Sequence, residues 1–137
     1  MSIPEKVGAM LDSWRTFALA TTDADGTPNV SPMMQMWRLE DDVLVIGDMF
    51  MKQTKENIQN NGKAGIGIWD DKTRESYKLK GEARYDTEGE AYEFCLKKFR
   101  EKKPTAQFFG AVVFKIVSIH ETTSGKRAGD KLWPEEA

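Results

Sequence analysis

The sequence predicts a mainly β (α+β) fold: a six-stranded antiparallel barrel with peripheral helices. Three observations carry that prediction. Residues 75–86 alternate apolar and polar side chains without a break, the mark of a half-buried strand. Asp25-Gly26 lies between two β-prone runs and is the strongest short hairpin signal in the chain. The order of elements is a strand meander, a short helix, then three more strands, which closes most simply as a small barrel.

The elements follow in chain order. Residues 3–14 read as a helix, because Val7, Met10, Leu11 and Trp14 make one apolar stripe. Ser2 and Glu5 have the spacing of a capping box, and Pro4 lies in the first turn, where its missing N–H costs little. Phe17 to Thr22 is the first strand and residues 28–39 its return. Pro32 inside that return strand requires an edge position, a bulge, or a ligand in place of a neighbouring strand. Residues 40–42 turn into a buried strand, residues 43–47.

A short helix opens near Thr54 and ends at Asn60-Asn61-Gly62, residues that tolerate the left-handed conformation. Lys63 to Trp69 is a strand with Ala64, Ile66 and Ile68 on one face and Gly65 and Gly67 on the other. Glycines on one face of a strand suit close approach by a backbone or a flat ligand. After the alternating strand 75–86, Thr87 and Glu90 frame a second capping box, and Tyr92, Cys95, Leu96 and Phe99 give the next helix its stripe. Pro104 stops it. Residues 108–120 are apolar on both faces through Val117 and read as a central strand. From about residue 121 the tail is polar, with Trp133 its large apolar group.

Composition narrows the function. With 137 residues, 39% hydrophobic and 31% charged, the chain suits one globular domain, residues 1–137. A net charge of -2 gives no basic excess to drive phosphate-backbone binding, so nucleic acid is not an expected partner. One cysteine and one histidine leave no multi-ligand zinc site and no internal disulfide, which suits a cytoplasmic location. The N-terminus lacks a secretory pattern, and no apolar run approaches the roughly 20 residues that span a bilayer. A domain this small builds a deep site for a large ligand more easily between two copies.

The most informative segment is VIGDMFMKQTKENI, residues 45–58. A buried strand ends, a loop follows, and a helix begins. Free N–H groups at a helix N-terminus bind anions. Lys52 adds a charge, and Gln53 and Thr54 add neutral donors. This makes a plausible monophosphate cradle without the glycine spacing of a Walker loop. On the residues alone, Thr54 as a simple N-cap and Lys52 as a solvated charge is the commoner reading.

The ordered segments FALATTDADGTPNVSPM, DDVLVIGD, MKQTKENIQNNGKAGIGIWD and YKLKGEARYDTEG resemble the FMN-binding split β-barrel family around pyridoxamine 5'-phosphate oxidase. The likeness runs from about Phe17 to about Ile119. It implies the FMN-binding split-barrel fold and a homodimer with the flavin at the subunit interface. Asn57 stands where the family has an Asn on its short helix, and Lys52, Gln53 and Thr54 fall on the phosphate-contacting positions. Many relatives carry a basic residue where this chain has Gln53 or Thr54; here Lys52 supplies the charge. Ser31, Pro32, Met33 and Met34 match the strand along the isoalloxazine ring, and Ile46, Gly47 and Asp48 match the strand end beside the ribityl chain. Met33 and Met34 read equally as core or interface filler, and Met36 reads as filler. The complete substrate-binding set of the oxidase itself is not evident, and the chain is shorter than those enzymes, so that particular activity is not implied.

Other chemistry-bearing residues have plainer roles. Gly65-x-Gly67 is half a dinucleotide fingerprint, followed by Trp69-Asp70-Asp71 and not by a helix. His120 reads as a structural residue past a strand end, Cys95 as packed core, and the aspartates as turn formers. Residues 124–131 read as a flexible basic tail. No catalytic residue is assigned. The expected function is an FMN-dependent oxidoreductase or FMN electron carrier, acting on a small molecule or redox partner, with the flavin carrying the chemistry. Phe108, Phe109 or Trp133 are the candidates for completing the partner's site. The alternatives are an F420-dependent reductase and a cofactor-free dimeric binding module.

Overall fold

The structure is a computed structural model that describes residues 2–13 and 15–135. Helix α1 spans Glu5–Asp12 and buries Val7, Met10 and Leu11, as the stripe requires; Trp14 lies outside the described residues. The expected Ser2–Glu5 capping box does not form. Pro4 occupies the N-cap, and its carbonyl accepts the first helical hydrogen bond from Gly8 at 3.0 Å.

Strands β1 (Phe17–Thr22) and β2 (Pro28–Met33) form the expected hairpin. The run 28–39 is not one strand, however. It breaks at Met34-Gln35, and β3 (Met36–Glu40) pairs with β4 (Val43–Asp48) on the far side of the sheet. Next come α2 (Gln53–Asn61), β5 (Lys63–Trp69), β6 (Ser76–Asp86), α3 (Glu90–Lys102), β7 (Gly110–Glu121) and β8 (Lys131–Trp133). Gly62 caps α2 with φ 67, the left-handed position expected for it. The second capping box is also absent. Gly89, at φ 97, turns the chain just ahead of α3, so the helix starts at Glu90 and not at Thr87.

The sheet runs β2-β1-β5-β6-β7-β4-β3 with antiparallel pairing throughout, and β8 adds to β7. Its two end strands, β2 and β3, are separated by two residues of chain. The sheet must therefore curl until its first and last strands meet at Met34-Gln35. Gly47 donates its N–H to the Gln35 carbonyl at 3.1 Å, which carries the β3–β4 pairing up to that seam. This is the split barrel, with eight strands where six were expected. The extra two come from the broken run 28–39 and from the tail. β2 ends the sheet, so Pro32 sits on an edge strand, where its missing N–H is tolerated.

The barrel interior holds Phe17, Leu19, Leu44, Ile46, Ile66, Ile68, Leu79, Val112 and Phe114 in one apolar cluster. A second, smaller cluster lies outside the wall. There Val45, Ala111 and Val113 pack against Ala91 and Cys95 of α3. Burial on both faces explains why β4 and β7 read as continuous apolar runs. Val117 departs from that reading and is half exposed. It is the extra residue of a bulge, where Lys80 pairs with Ser118 and Gly81 with Ile116. The tail is not loose either: β8 carries Trp133 back into the core. Among the described residues no helix is long and apolar enough to cross a membrane.

Two outcomes follow from this packing. A Cβ on Gly81 would lie 2.3 Å from the Lys115 carbonyl and 2.6 Å from the Phe114 ring, so Gly81→Ala should destabilise the fold by about 1–3 kcal/mol in urea melts. Burial pushes the Cys95 thiol up to about 12, so iodoacetamide should leave it unlabelled in the native protein and label it in urea.

Candidate functional site

Three consecutive residues at the end of β4 have three different tasks. Ile46 faces inward and is fully buried in the core. Gly47 lines a surface cleft, but the side where a Cβ would stand faces the Phe108 and Phe99 rings, 3.4 and 3.7 Å away. Asp48 is 2% exposed and holds the loop that follows. Its Oδ1 accepts the N–H of Met51 at 2.8 Å, and its Oδ2 accepts the hydroxyl of Tyr85. Tyr85 lies so close to Gly110 that a Cβ there would be 2.5 Å from its ring. Lys55 places its ammonium 4.6 Å from the centre of the same ring. Burial, then the hydrogen bond and charge of Asp48, hold the Tyr85 hydroxyl well above the ordinary tyrosine range.

The loop delivers the chain to α2. Lys52 is the N-cap, and no described side chain caps the helix, so the first-turn N–H groups are left for solvent or a ligand. Thr54 is not the N-cap. It is 3% exposed, and its hydroxyl accepts a hydrogen bond from Asn29 Nδ2 at 3.2 Å and meets the Ser31 hydroxyl at 3.4 Å. One turn on, fully buried Asn57 donates to the Thr21 hydroxyl at 3.0 Å and accepts from Gln53 Nε2 at 2.7 Å. Asn29 also reaches Thr21, at 3.2 Å. One polar group thus ties the start of α2 to β1 and β2.

Between that helix end and the sheet edge lies a cleft of about 370 Å³. Ser31, Pro32, Met33, Met34, Gly47, Lys52, Gln53 and Thr54 line it. Of the ten residues singled out from sequence, two stand apart. Ile46 belongs to the core, and Asp48 borders an adjoining cavity with Lys52, Lys55 and Phe109. The strand reading left out Asn29 and Gln35, and the loop reading left out Met49, Phe50 and Met51, which also line the cleft. A usable signal was present: Asn29, Ser31, Met33 and Gln35 recur with the period of a strand, and three of them are polar.

The donor set suits a molecule with an anionic end and a flat apolar body. Lys52 and the α2 N–H groups serve one end, while Pro32, Met33, Met34 and Met49 wall the other. The Thr54 hydroxyl is largely committed within the chain, so the helix backbone and Lys52 are the main anion donors. Met36 packs against the core, in keeping with filler.

The remaining candidates stand elsewhere. His120 lies within β7, not past its end, and its Nε2 is 3.0 Å from the Ser118 hydroxyl. Trp133 and Phe108 are occupied inside their own chain, Trp133 in the core and Phe108 against Tyr92 and Phe99. Phe109 is exposed. Residues 124–131 fold back toward β7, with Gly129 donating its N–H to the Glu121 carbonyl at 2.7 Å. Among the described residues no group of three or more His, Cys, Asp and Glu stands together as a metal site.

A family model described as pyridoxamine 5'-phosphate oxidase matches residues 3–122. An uncharacterised protein of Methanocaldococcus jannaschii is 34% identical over 120 residues, covering 86% of this chain and 80% of its own. Among solved structures, HupZ of Group A Streptococcus superposes with a TM-score of 0.79 at 27% identity, covering 93% of this chain and 99% of its own. An FMN-binding protein from Syntrophomonas wolfei superposes at 0.71 and 18% identity, covering 88% and 82%, which is a likeness of fold.

Thr21→Val should strand the Asn57 amide and weaken the hold on α2, costing about 1–3 kcal/mol by urea denaturation. Tyr85 supplies a pH dependence of known sign. The folded state keeps its phenol proton after the unfolded chain has lost it near the ordinary value of 10. The contribution is therefore whole below pH 10 and is lost as pH rises beyond it. Tyr85→Phe should flatten the alkaline fall in stability, and melting curves from pH 8 to 11 measure the change in slope.

Proposed function

The chain belongs to the pyridoxamine 5'-phosphate oxidase family, and on that premise we propose that it is a homodimeric flavoprotein that binds FMN. We propose further that it works as an FMN-dependent oxidoreductase or electron carrier on a small molecule or redox partner, in the cytoplasm. One observation supports this above the rest: a single cleft joins an uncapped helix N-terminus carrying Lys52 to an apolar wall of strand residues. An FMN-binding protein of the same fold adds to it.

Each residue has a stated task in this reading. Lys52 and the first-turn N–H groups of α2 hold the phosphate. Asn29, Thr21 and Asn57 keep that turn in place. Pro32, Met33 and Met34 flank the ring, and Gly47 borders the ribityl chain. Bound flavin supplies hydride or single-electron chemistry that no side chain can. The open side of the cleft is edged by Met34, 49% exposed, and Phe50, 86% exposed. Val30 and Phe109 add exposed apolar area. Such a patch at the mouth of a site suits cover by a second copy of the chain.

Purified protein should show flavin absorbance or quench added FMN fluorescence with a stoichiometry of one per chain, and sedimentation should give a dimer. Lys52→Ala should weaken FMN at least about tenfold, the worth of a charged hydrogen bond, and leave riboflavin, which has no phosphate, little changed. Equal losses for both ligands would remove Lys52 from the phosphate site. Failure to bind FMN together with saturable binding of F420 would move the chain to the deazaflavin enzymes. Binding of neither would leave a cofactor-free module.

A further inference from the structure

Gln35 occupies the seam where the sheet's two edges meet. Its backbone is in use, because its carbonyl accepts the Gly47 N–H at 3.1 Å. Its side chain is not. The Oε1 atom is buried, has no hydrogen-bond partner, and belongs to a residue that lines the cleft. Among the described residues the Trp133 indole N–H is alone in sharing that condition, and it lies in the core. An unpaired buried acceptor is unfavourable, and a Met or Leu at position 35 would fill the same wall without that cost. A turn of this side chain into the cleft it lines would bring the acceptor to a donor carried by a bound ligand.

Position defines what that is. Ser31 and Asn29 meet Thr54 at the anion end of the cleft. Gln35 lies four residues beyond Ser31, past the end of β2 and beyond Met33 and Met34 along the chain. A ligand with phosphate at Lys52 and a flat ring along the strand brings the distal edge of that ring toward the seam. A carboxamide presents an acceptor beside a donor. Its complement is a ring N–H beside a ring carbonyl, and rotation of the amide allows either order of the pair.

We propose that Gln35 reads the pyrimidine edge of a bound flavin, with Oε1 accepting the N3–H and Nε2 donating to an adjacent ring carbonyl. The proposal rests on the flavin reading above. The deazaflavin ring has the same edge, so the assignment concerns the ring and not the tail. Gln35 is then the residue that fixes how far the ring slides toward the seam, while Lys52 fixes the other end.

The test is a binding comparison with two ligands and two proteins: FMN and N3-methyl-FMN, each titrated by fluorescence against wild type and Gln35→Met. The methyl group removes the N3 donor. Wild type should prefer FMN by about tenfold, the worth of one buried hydrogen bond to an otherwise unpaired group. Gln35→Met should bind FMN about tenfold more weakly and bind the two ligands alike. Equal binding of both ligands by wild type would overturn the proposal while leaving the FMN site intact. A preference that survives in Gln35→Met would also overturn it, because another group would then read N3. Wild type that binds neither ligand would overturn the flavin reading itself. The wild-type comparison needs no variant to fold.

Discussion

Thr21, Asn29, Thr54 and Asn57 form one hydrogen-bonded group at the place where the sheet ends and α2 begins. Three of these four are nearly inaccessible to water, in a protein whose other buried side chains are overwhelmingly apolar. Each bond is worth only about 0.5–1.5 kcal/mol net, but the alternative is stranded polar groups at roughly twice that cost. The consequence is geometric as much as energetic. An apolar contact would let a short helix slide on the sheet. Hydroxyls paired with carboxamides admit one register. The cleft exists because the first turn of α2 is held open beside β2 at that register, with its N–H groups uncommitted.

The rest of the barrel makes that arrangement rigid from behind. β4 is covered by the core on one face and by α3 on the other, so its end cannot shift. Asp48 converts that fixity into loop position by holding Met51 on one oxygen and Tyr85 on the other. Tyr85 in turn needs the missing side chain at Gly110, which β7 supplies. From central strands to loop to helix N-terminus, each step passes through a named contact. Exposed Met34 and Phe50 line the cleft itself, and exposed Phe109 borders the adjoining cavity.

Much of this was legible in the sequence. Strand alternation fixed β6 and β5 to within a residue, and Gly62 was readable as a left-handed cap because few other residues accept that conformation. The cleft-lining set from Ser31 to Met34 and from Lys52 to Thr54 was also readable, through resemblance of segment order more than through any local motif. What failed did so for physical reasons. Residues 33–39 carry no Gly, Pro, Asn, Asp or Ser to mark a break, and local pattern does not reveal that a chain crosses from one edge of a closed sheet to the other. Both capping boxes matched by spacing, yet Pro4 and Gly89 set the backbone at the true helix starts. The tail lacked periodicity, and a three-residue strand anchored by one tryptophan carries too little pattern to be seen. Gln35 was invisible as a site residue because an unsatisfied acceptor is a property of surroundings and not of sequence.

The chemistry of the cleft wall restricts what the site can do unaided. Its side chains are hydroxyls, carboxamides, thioethers, a proline, a phenyl ring and one ammonium. None of these is a carboxylate, an imidazole or a thiol. Cys95 is sealed against the barrel wall by α3, and His120 belongs to strand β7, outside the cleft lining. Such a wall can bind and orient a ligand and exclude water, and in the flavin reading proposed above the reacting atoms arrive with the cofactor. That is the division of labour expected when a cofactor supplies the reacting atoms and the protein supplies position. It also gives the two ends of the cleft unequal roles. In the proposed flavin reading the helix end sets affinity through charge, and the seam end sets the ring's depth through a single amide. Substrate choice is then left to whatever closes the open side.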